Sequence, residues 1–209
     1  VGVPLWGGVF PLALRGAREE LPAAEPLPRA EAVTRLAERV EVCVYRFGGE
    51  RGRVSPDRYW NDLRGIDAYY AANMALLEHD PPLNLYQNDW NIFTAQGQHP
   101  PARTVPGLSG TEGIFVNSML AAGTQVSGGG VNHSILFPRV MVQDGAIVED
   151  AILFNGVSVG EGAHLRRCII DKDIQVPPQT QIGLDPVADR ARFQVSAGGV
   201  VVIPKDFRF

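Results

Sequence analysis

The chain has 209 residues, 45% of them hydrophobic and 20% charged, with a net charge of −4 and a pI near 5.6. It can bury a substantial core in one large or two small domains, and its acidic balance argues against a non-specific nucleic-acid binder, which needs a basic surface. It has no apolar run of about 18 residues, so no membrane span is expected, and its two separated cysteines, Cys43 and Cys168, lack metal-ligand spacing and fit a reduced, cytoplasmic setting as small buried side chains.

The start, Val1-Gly2-Val3-Pro4, has no Met and no charged leader, and reads as cut from a longer protein rather than as a secretory signal. Residues 1–28 are rich in Pro, Ala and Gly and read as a loosely held segment. Residues 29–39 favour helix and lead into a β-branched and aromatic strand, Val40 to Phe47, which Gly48-Gly49 ends. A second helix is expected after Asp62, with Ile66, Tyr69, Tyr70, Met74 and Leu77 on one face and Pro81-Pro82 as its stop. Residues 29–82 thus read as a short α/β remnant, and 83–112 as a connector.

From there the chain repeats. Ile135, Met141, Ile147, Leu153, Val159 and Leu165 recur every six residues, and Ala151, Val157, Ala163 and Ile169 form a companion column of small or apolar side chains. A helix shows spacings of three and four, and a flat strand a spacing of two. A period of six is the signature of a hexapeptide parallel β-helix, whose repeats are stable only when stacked. The register slips by one after Leu165 and resumes as Ile170, Val176 and Ile182. Upstream, Ile114, Leu120 and Val126 keep the spacing, so about four coils are expected over residues 113–183. Gly156, Gly160 and Gly162 suit the corners. Residues 113–209 are read as one solenoid domain, ending in a strand at Gly199 to Ile203.

Two histidines lie on the repeat. A hexapeptide acyltransferase would use one as general base, but His164 occupies a place held elsewhere by Ile152, Ser158 and Ile170, and His133 has no acidic partner at a telling sequence spacing. A zinc site of three solenoid histidines is short by one, since His79 and His99 lie outside the repeat.

Several motifs in order carry a resemblance: Tyr59-Trp60-Asn61-Asp62, the helix from Ile66 to Leu77, Asn84-Leu85-Tyr86, Asp89-Trp90, Pro100-Pro101-Ala102, Asn117-Ser118, Leu165 to Asp171 and Asp189 to Phe193. Together, over about 150 residues, they resemble the C-terminal half of the ADP-glucose pyrophosphorylases (glucose-1-phosphate adenylyltransferases) of bacterial glycogen synthesis. The resemblance implies a mainly β fold: a left-handed parallel β-helix preceded by a remnant of an α/β nucleotidyltransferase domain. It also implies a reaction of ATP with glucose 1-phosphate that releases pyrophosphate, a Mg²⁺ cofactor, phosphorylated allosteric effectors and a homotetramer, with no nucleic acid and no membrane as partners.

Residue by residue, the resemblance places Asp62 as the catalytic, metal-linked aspartate, Trp60 at the sugar site, and Lys172, Lys205, Arg166 and Arg167 as regulatory cations, a chemistry suited to phosphate. Asp62 also suits the N-cap of the helix that follows. Two departures stand out. The family's Val-Gly-Thr after the aspartate is Leu63-Arg64-Gly65 here, and residues 1–58 lack the glycine-rich loop whose N–H groups face the nucleotide phosphates. The isolated chain is therefore expected to be inactive, as the C-terminal part of the enzyme or as a noncatalytic regulatory or oligomerisation subunit.

Overall fold

The computed structural model describes residues 61–86 and 97–209, together with residue 38. The expected helix at 29–39, the strand at 40–47, Cys43 and Trp60 lie outside the described residues. Asn61–Asn84 and Thr94–Phe209 form one compact unit; of the other, residues 1–60 and 85–93, only residues 38, 85 and 86 are described.

The first unit is mainly β: a parallel β-helix of three flat faces. Face A stacks β1 (Arg103–Val105), β4 (Gln125–Ser127), β7 (Met141–Val142), β10 (Ser158–Val159) and β13 (Gln175–Val176). Face B stacks β2 (Ile114–Val116), β5 (Gly130–Asn132), β8 (Ile147–Glu149), β11 (His164–Arg166) and β14 (Gln181–Ile182). Face C stacks β3 (Met119–Leu120), β6 (Ile135–Leu136), β9 (Ile152–Leu153), β12 (Cys168–Ile170) and β16 (Val201–Ile203), with β15 (Gln194–Val195) added antiparallel at its edge. About four turns separate the first rung from the fifth. The first rung falls inside the segment read from sequence as a connector, because β1 pairs in parallel with β4.

The coil length corrects the expected core column. Val142 pairs with Val159, Val148 with Leu165 and Leu136 with Leu153, which makes a coil 17 residues long instead of three strict hexapeptides. The corner between faces B and C is turned by a single residue in left-handed backbone: Asn117, His133, Asp150 and Arg167, with φ between 44° and 49°. One residue is lost at each passage, so Leu136, Val142 and Val148 point inward and are at most 1% exposed. Met141 and Ile147, expected inside, are exposed, and Ile135 is buried on the outer side of face C. Leu153, Val159 and Leu165 do point inward, all fully buried, as are Ala151, Val157 and Ala163. At the corners, Gly156 and Gly162 adopt positive φ; Gly160 does not, and is instead close-packed, since a Cβ there would sit 2.5 Å from the backbone N of Pro178.

Polar groups inside the stack are paired. The Thr124 hydroxyl donates to the Phe137 carbonyl, and Ser134 links Asn132 O to Ala151 N; no buried side-chain polar atom among the described residues lacks a partner. After β14 a short helix, α2 (Pro186–Arg192), is capped by Asp185, which accepts from the N–H groups of Val187 and Ala188. Phe193 then packs with Phe207 and Phe209 over the last coil and joins the core.

The helix expected after Asp62 is α1, Ile66–Met74, followed by one 3₁₀ turn to Leu77. Its predicted face is the one it buries. Tyr70 and Met74 lie on Ile152, Ile169 and Val200, with Ile66, Tyr69 and Leu77 at the margin. The outward residues of face C are therefore apolar because a helix covers them. Among the described residues no helix is long and apolar enough to cross a membrane.

Candidate functional site

Asp62 lies outside any helix or strand, four residues before α1. It does not cap the helix, which corrects that reading. The N-cap is Gly65, with no side-chain cap. Instead the Asp62 carboxylate accepts from Arg64: Nε lies 2.8 Å from Oδ1 and 2.7 Å from Oδ2, Nη2 closes the pair, and the Arg64 backbone N–H adds a bond at 3.3 Å. The arginine that departs from the family pattern thus sits on the aspartate that matches it, and the hydrogen-bonded carboxylate raises the Arg64 pKa.

A carboxylate oxygen is a hard donor that suits Mg²⁺, an ion commonly held by one or two carboxylates plus substrate phosphates rather than by a full protein cage. The Asp62 carboxylate has the donor chemistry of such a single ligand, and Arg64 is the cation that faces it here. Among the described residues no group of three or more His, Cys, Asp or Glu side chains is placed to hold a metal by itself.

The four expected regulatory cations fall into two places. Ile170 is the register partner of Ile203, and Lys172 and Lys205 each follow two residues later, so both leave face C at the same corner on neighbouring rungs, about 5 Å apart. The Asp171 N–H bond to Ile203 O continues the pairing into that corner. Lys172 Nζ stands 5.8 Å from the centre of the Phe154 ring. Lys205 lines an open depression of about 530 Å³ with Asp173, Gln175, Arg208 and Phe209.

Arg139, which the sequence reading did not single out, reaches the same corner. It faces Asp173 at 3.9 Å across Gly156, whose missing side chain leaves the gap. Only the spacing of 34 residues, two coils, could have pointed to that pair.

Arg166 and Arg167 lie at the opposite end of the β12 strand. Arg166 is exposed on face B in register with Glu149. Arg167 is committed to structure, donating to Gly198 O at 3.0 Å and lying 5.7 Å over the Tyr70 ring.

The two solenoid histidines do have acidic partners. His133 Nδ1 lies 2.6 Å from Asp150 Oδ1, and His164 Nε2 lies 3.1 Å from Glu149 Oε2. The expectation for His133 fails because its partner is 17 residues away, one coil further along the same corner. Both pairs stitch neighbouring coils. Cys168 is fully buried in the core, where desolvation and then the nearby Asp189 push its thiol up to about 12. It is inert as a nucleophile.

The family model described as GlmU-like, C-terminal hexapeptide matches residues 100–203. The chain is 49% identical over 179 residues to glucose-1-phosphate adenylyltransferase 2 of Vibrio cholerae, covering 86% of this chain and 44% of that one. It is 41% identical over 181 residues to the glucose-1-phosphate adenylyltransferase of an Anaeromyxobacter species, covering 84% and 44%.

Over most of its length the chain matches glucose-1-phosphate adenylyltransferases.

A third relative, the glucose-1-phosphate adenylyltransferase of Deinococcus deserti, is 39% identical over 186 residues, or 88% of this chain and 44% of its own length. The chain thus spans less than half the length of the curated relatives it matches, and corresponds to a C-terminal part of such adenylyltransferases. The aligned 86% is longer than the solenoid alone, so the likeness extends into the segment that carries α1 and Asp62.

Proposed function

We propose that this chain supplies the C-terminal part of a glucose-1-phosphate adenylyltransferase, which joins ATP and glucose 1-phosphate into ADP-glucose and pyrophosphate for glycogen synthesis. The observation that carries the reading is the continuity of the identity, 49% over 179 residues, through both the helical segment and the solenoid. In that reaction a phosphate oxygen of glucose 1-phosphate attacks the α-phosphorus of ATP, and the bond to the bridging oxygen of pyrophosphate breaks. Mg²⁺ would offset the repulsion between the two anionic reactants, with Asp62 as its protein ligand and Trp60 beside the sugar. Arg64 is a second cation beside Asp62, placed to neutralise the carboxylate when the metal is away. The corner of Lys172, Lys205 and Arg139 is our candidate for a phosphorylated effector; Arg166 and Arg167 lie on the far side, where Arg167 is tied to Gly198 and to Tyr70 of α1. A homotetramer and a cytoplasmic setting, in keeping with the free Cys168 thiol, go with this reading.

The chain alone does not make ADP-glucose, because residues 1–58 hold no glycine-rich phosphate loop. The test is to assay it with ATP, glucose 1-phosphate and Mg²⁺, alone and fused behind the N-terminal half of the Vibrio cholerae relative. Pyrophosphate release from the fusion only is the expected result. Release by the chain alone would overturn its inactivity, and a folded but inert fusion would overturn the functional assignment.

A further inference from the structure

The N-terminal end of α1 is held in an unusual way. Asp67 sits in the first turn, where a carboxylate normally serves the helix's own free N–H groups, yet it is turned outward to a segment about 130 residues away. Its Oδ1 accepts from the Ser196 hydroxyl at 2.5 Å, and its Oδ2 accepts from the Gly198 N–H at 3.0 Å. The same turn is gripped from its other side, where Arg167 donates to Gly198 O at 3.0 Å. Ser196 is itself oriented, since its hydroxyl oxygen also accepts from Val200 N–H at 2.9 Å. Residues 196–199 form the turn of the β15–β16 hairpin, and Lys205 follows β16 by two residues. Asp67 follows Asp62 by five.

We propose that Asp67 is a positioning residue for Asp62. Its carboxylate clasps the first turn of α1 to the hairpin turn, so the loop bearing Asp62 is fixed to the last coil of the solenoid at the Arg167 end of β16, one strand length from the corner that holds Lys172 and Lys205. The apolar face of α1 sets where the middle of the helix lies: Tyr70 and Met74 are buried on Ile152 and Ile169. Ile66, in the first turn, packs at the margin of that cluster, and Gly65 provides no side-chain cap. The clasp adds the polar tie that joins this turn to the hairpin. A shift of β16, the strand that runs into Lys205, therefore moves the loop of Asp62, giving the basic corner a mechanical path to the candidate reaction site. The assignment of a role to the Asp62 loop rests on the function proposed above; the clasp itself does not.

Gly198 gives an independent handle. Its backbone is in an ordinary region, so alanine is tolerated there, but a Cβ would stand 2.6 Å from Asp67 Oδ1 and displace that carboxylate. Hydrogen exchange on the whole chain tests the clasp. Asp67→Ala should speed exchange of the amides at 62–68 and 196–200 by about tenfold, with the rungs from β7 to β13 unchanged, because only a local opening is released. Gly198→Ala should reproduce that pattern, and should add nothing in the Asp67→Ala background. Asp67→Asn, which keeps an acceptor, should recover part of the protection. If the hairpin turn loosens while 62–68 stays protected, or neither segment changes, the proposal is overturned. If Asp67→Ala does not fold, Gly198→Ala alone decides, by the same two segments. An intact clasp together with normal turnover of Asp62→Asn in the fused enzyme would instead sink the role of Asp62.

Discussion

Val148 and Leu153 enter the same core from adjacent faces five positions apart, where the two other passages of that coil, Val142 to Val148 and Leu153 to Val159, take six. Asp150, in left-handed backbone with φ 49°, is the corner that removes the sixth. This one relationship sets the 17-residue coil and decides which member of each apolar doublet is buried.

The register can be tested by charge insertion. Val159 is fully buried, whereas Met141, 18 residues earlier and in the same sequence column, is 45% exposed. Val159→Asp should destabilise by about 3 kcal/mol or more, since it leaves an unpaired charge in a dry core, while Met141→Asp should stay within about 0.5 kcal/mol. Equal losses by chemical denaturation would restore the strict six-residue column.

Much of this was legible beforehand. The face of α1 follows a clean helical period, and the solenoid follows its repeat. The register did not follow, because Ile135-Leu136, Met141-Val142 and Ile147-Val148 are apolar pairs that fit two columns equally well. The corners were hidden too: His133, Arg139 and Gln179 hold positive φ where turn chemistry favours glycine. Lys172 and Lys205 came from the family resemblance, and only the pairing of β12 with β16 puts them at one corner. Asp67 gave no local signal, since its partners lie on another element about 130 residues further on.

Gln179 gives a second prediction. It stands at φ 60° in the corner column otherwise held by Gly128, Gly145 and Gly162. Gln179→Gly should raise stability by roughly 0.5–1 kcal/mol, by removing the penalty that a side chain meets in left-handed backbone. A lower melting temperature would mean that the side chain's cover of Gly162 outweighs that penalty.

Alkali should release α1. Burial, then the nearby Asp150, pushes Tyr70 up to about 12, from 10.0 for a free tyrosine. The neutral phenol donates to Asp150 O at 2.6 Å. The contribution of Tyr70 is therefore complete below pH 10 and is lost as the pH rises from 10 towards 12. Tyr70→Phe should flatten the stability profile in that window. A variant with an unchanged alkaline slope would assign the transition to another group.

Acid acts through Asp67. Its bonds to Ser196 and then Gly198 hold the carboxyl below its ordinary 3.8. The contribution is present above that value and is lost as the pH falls through the lowered one. Exchange at 62–68 should accelerate below pH 3.8 in the native chain, after correction for intrinsic rates, and should show no such step in Asp67→Asn.

The most direct measurement for the account as a whole is turnover and melting temperature of Asp62→Asn in the fused enzyme at saturating Mg²⁺. Asp62 caps no helix, its ion pair with Arg64 is exposed, and asparagine keeps its size and an acceptor oxygen, so the substitution should leave the melting temperature nearly unchanged. It removes the charge that would hold the metal against the triphosphate, and the rate should fall by at least about a hundredfold, near 2.7 kcal/mol of transition-state stabilisation. Normal turnover in a folded variant would contradict the account.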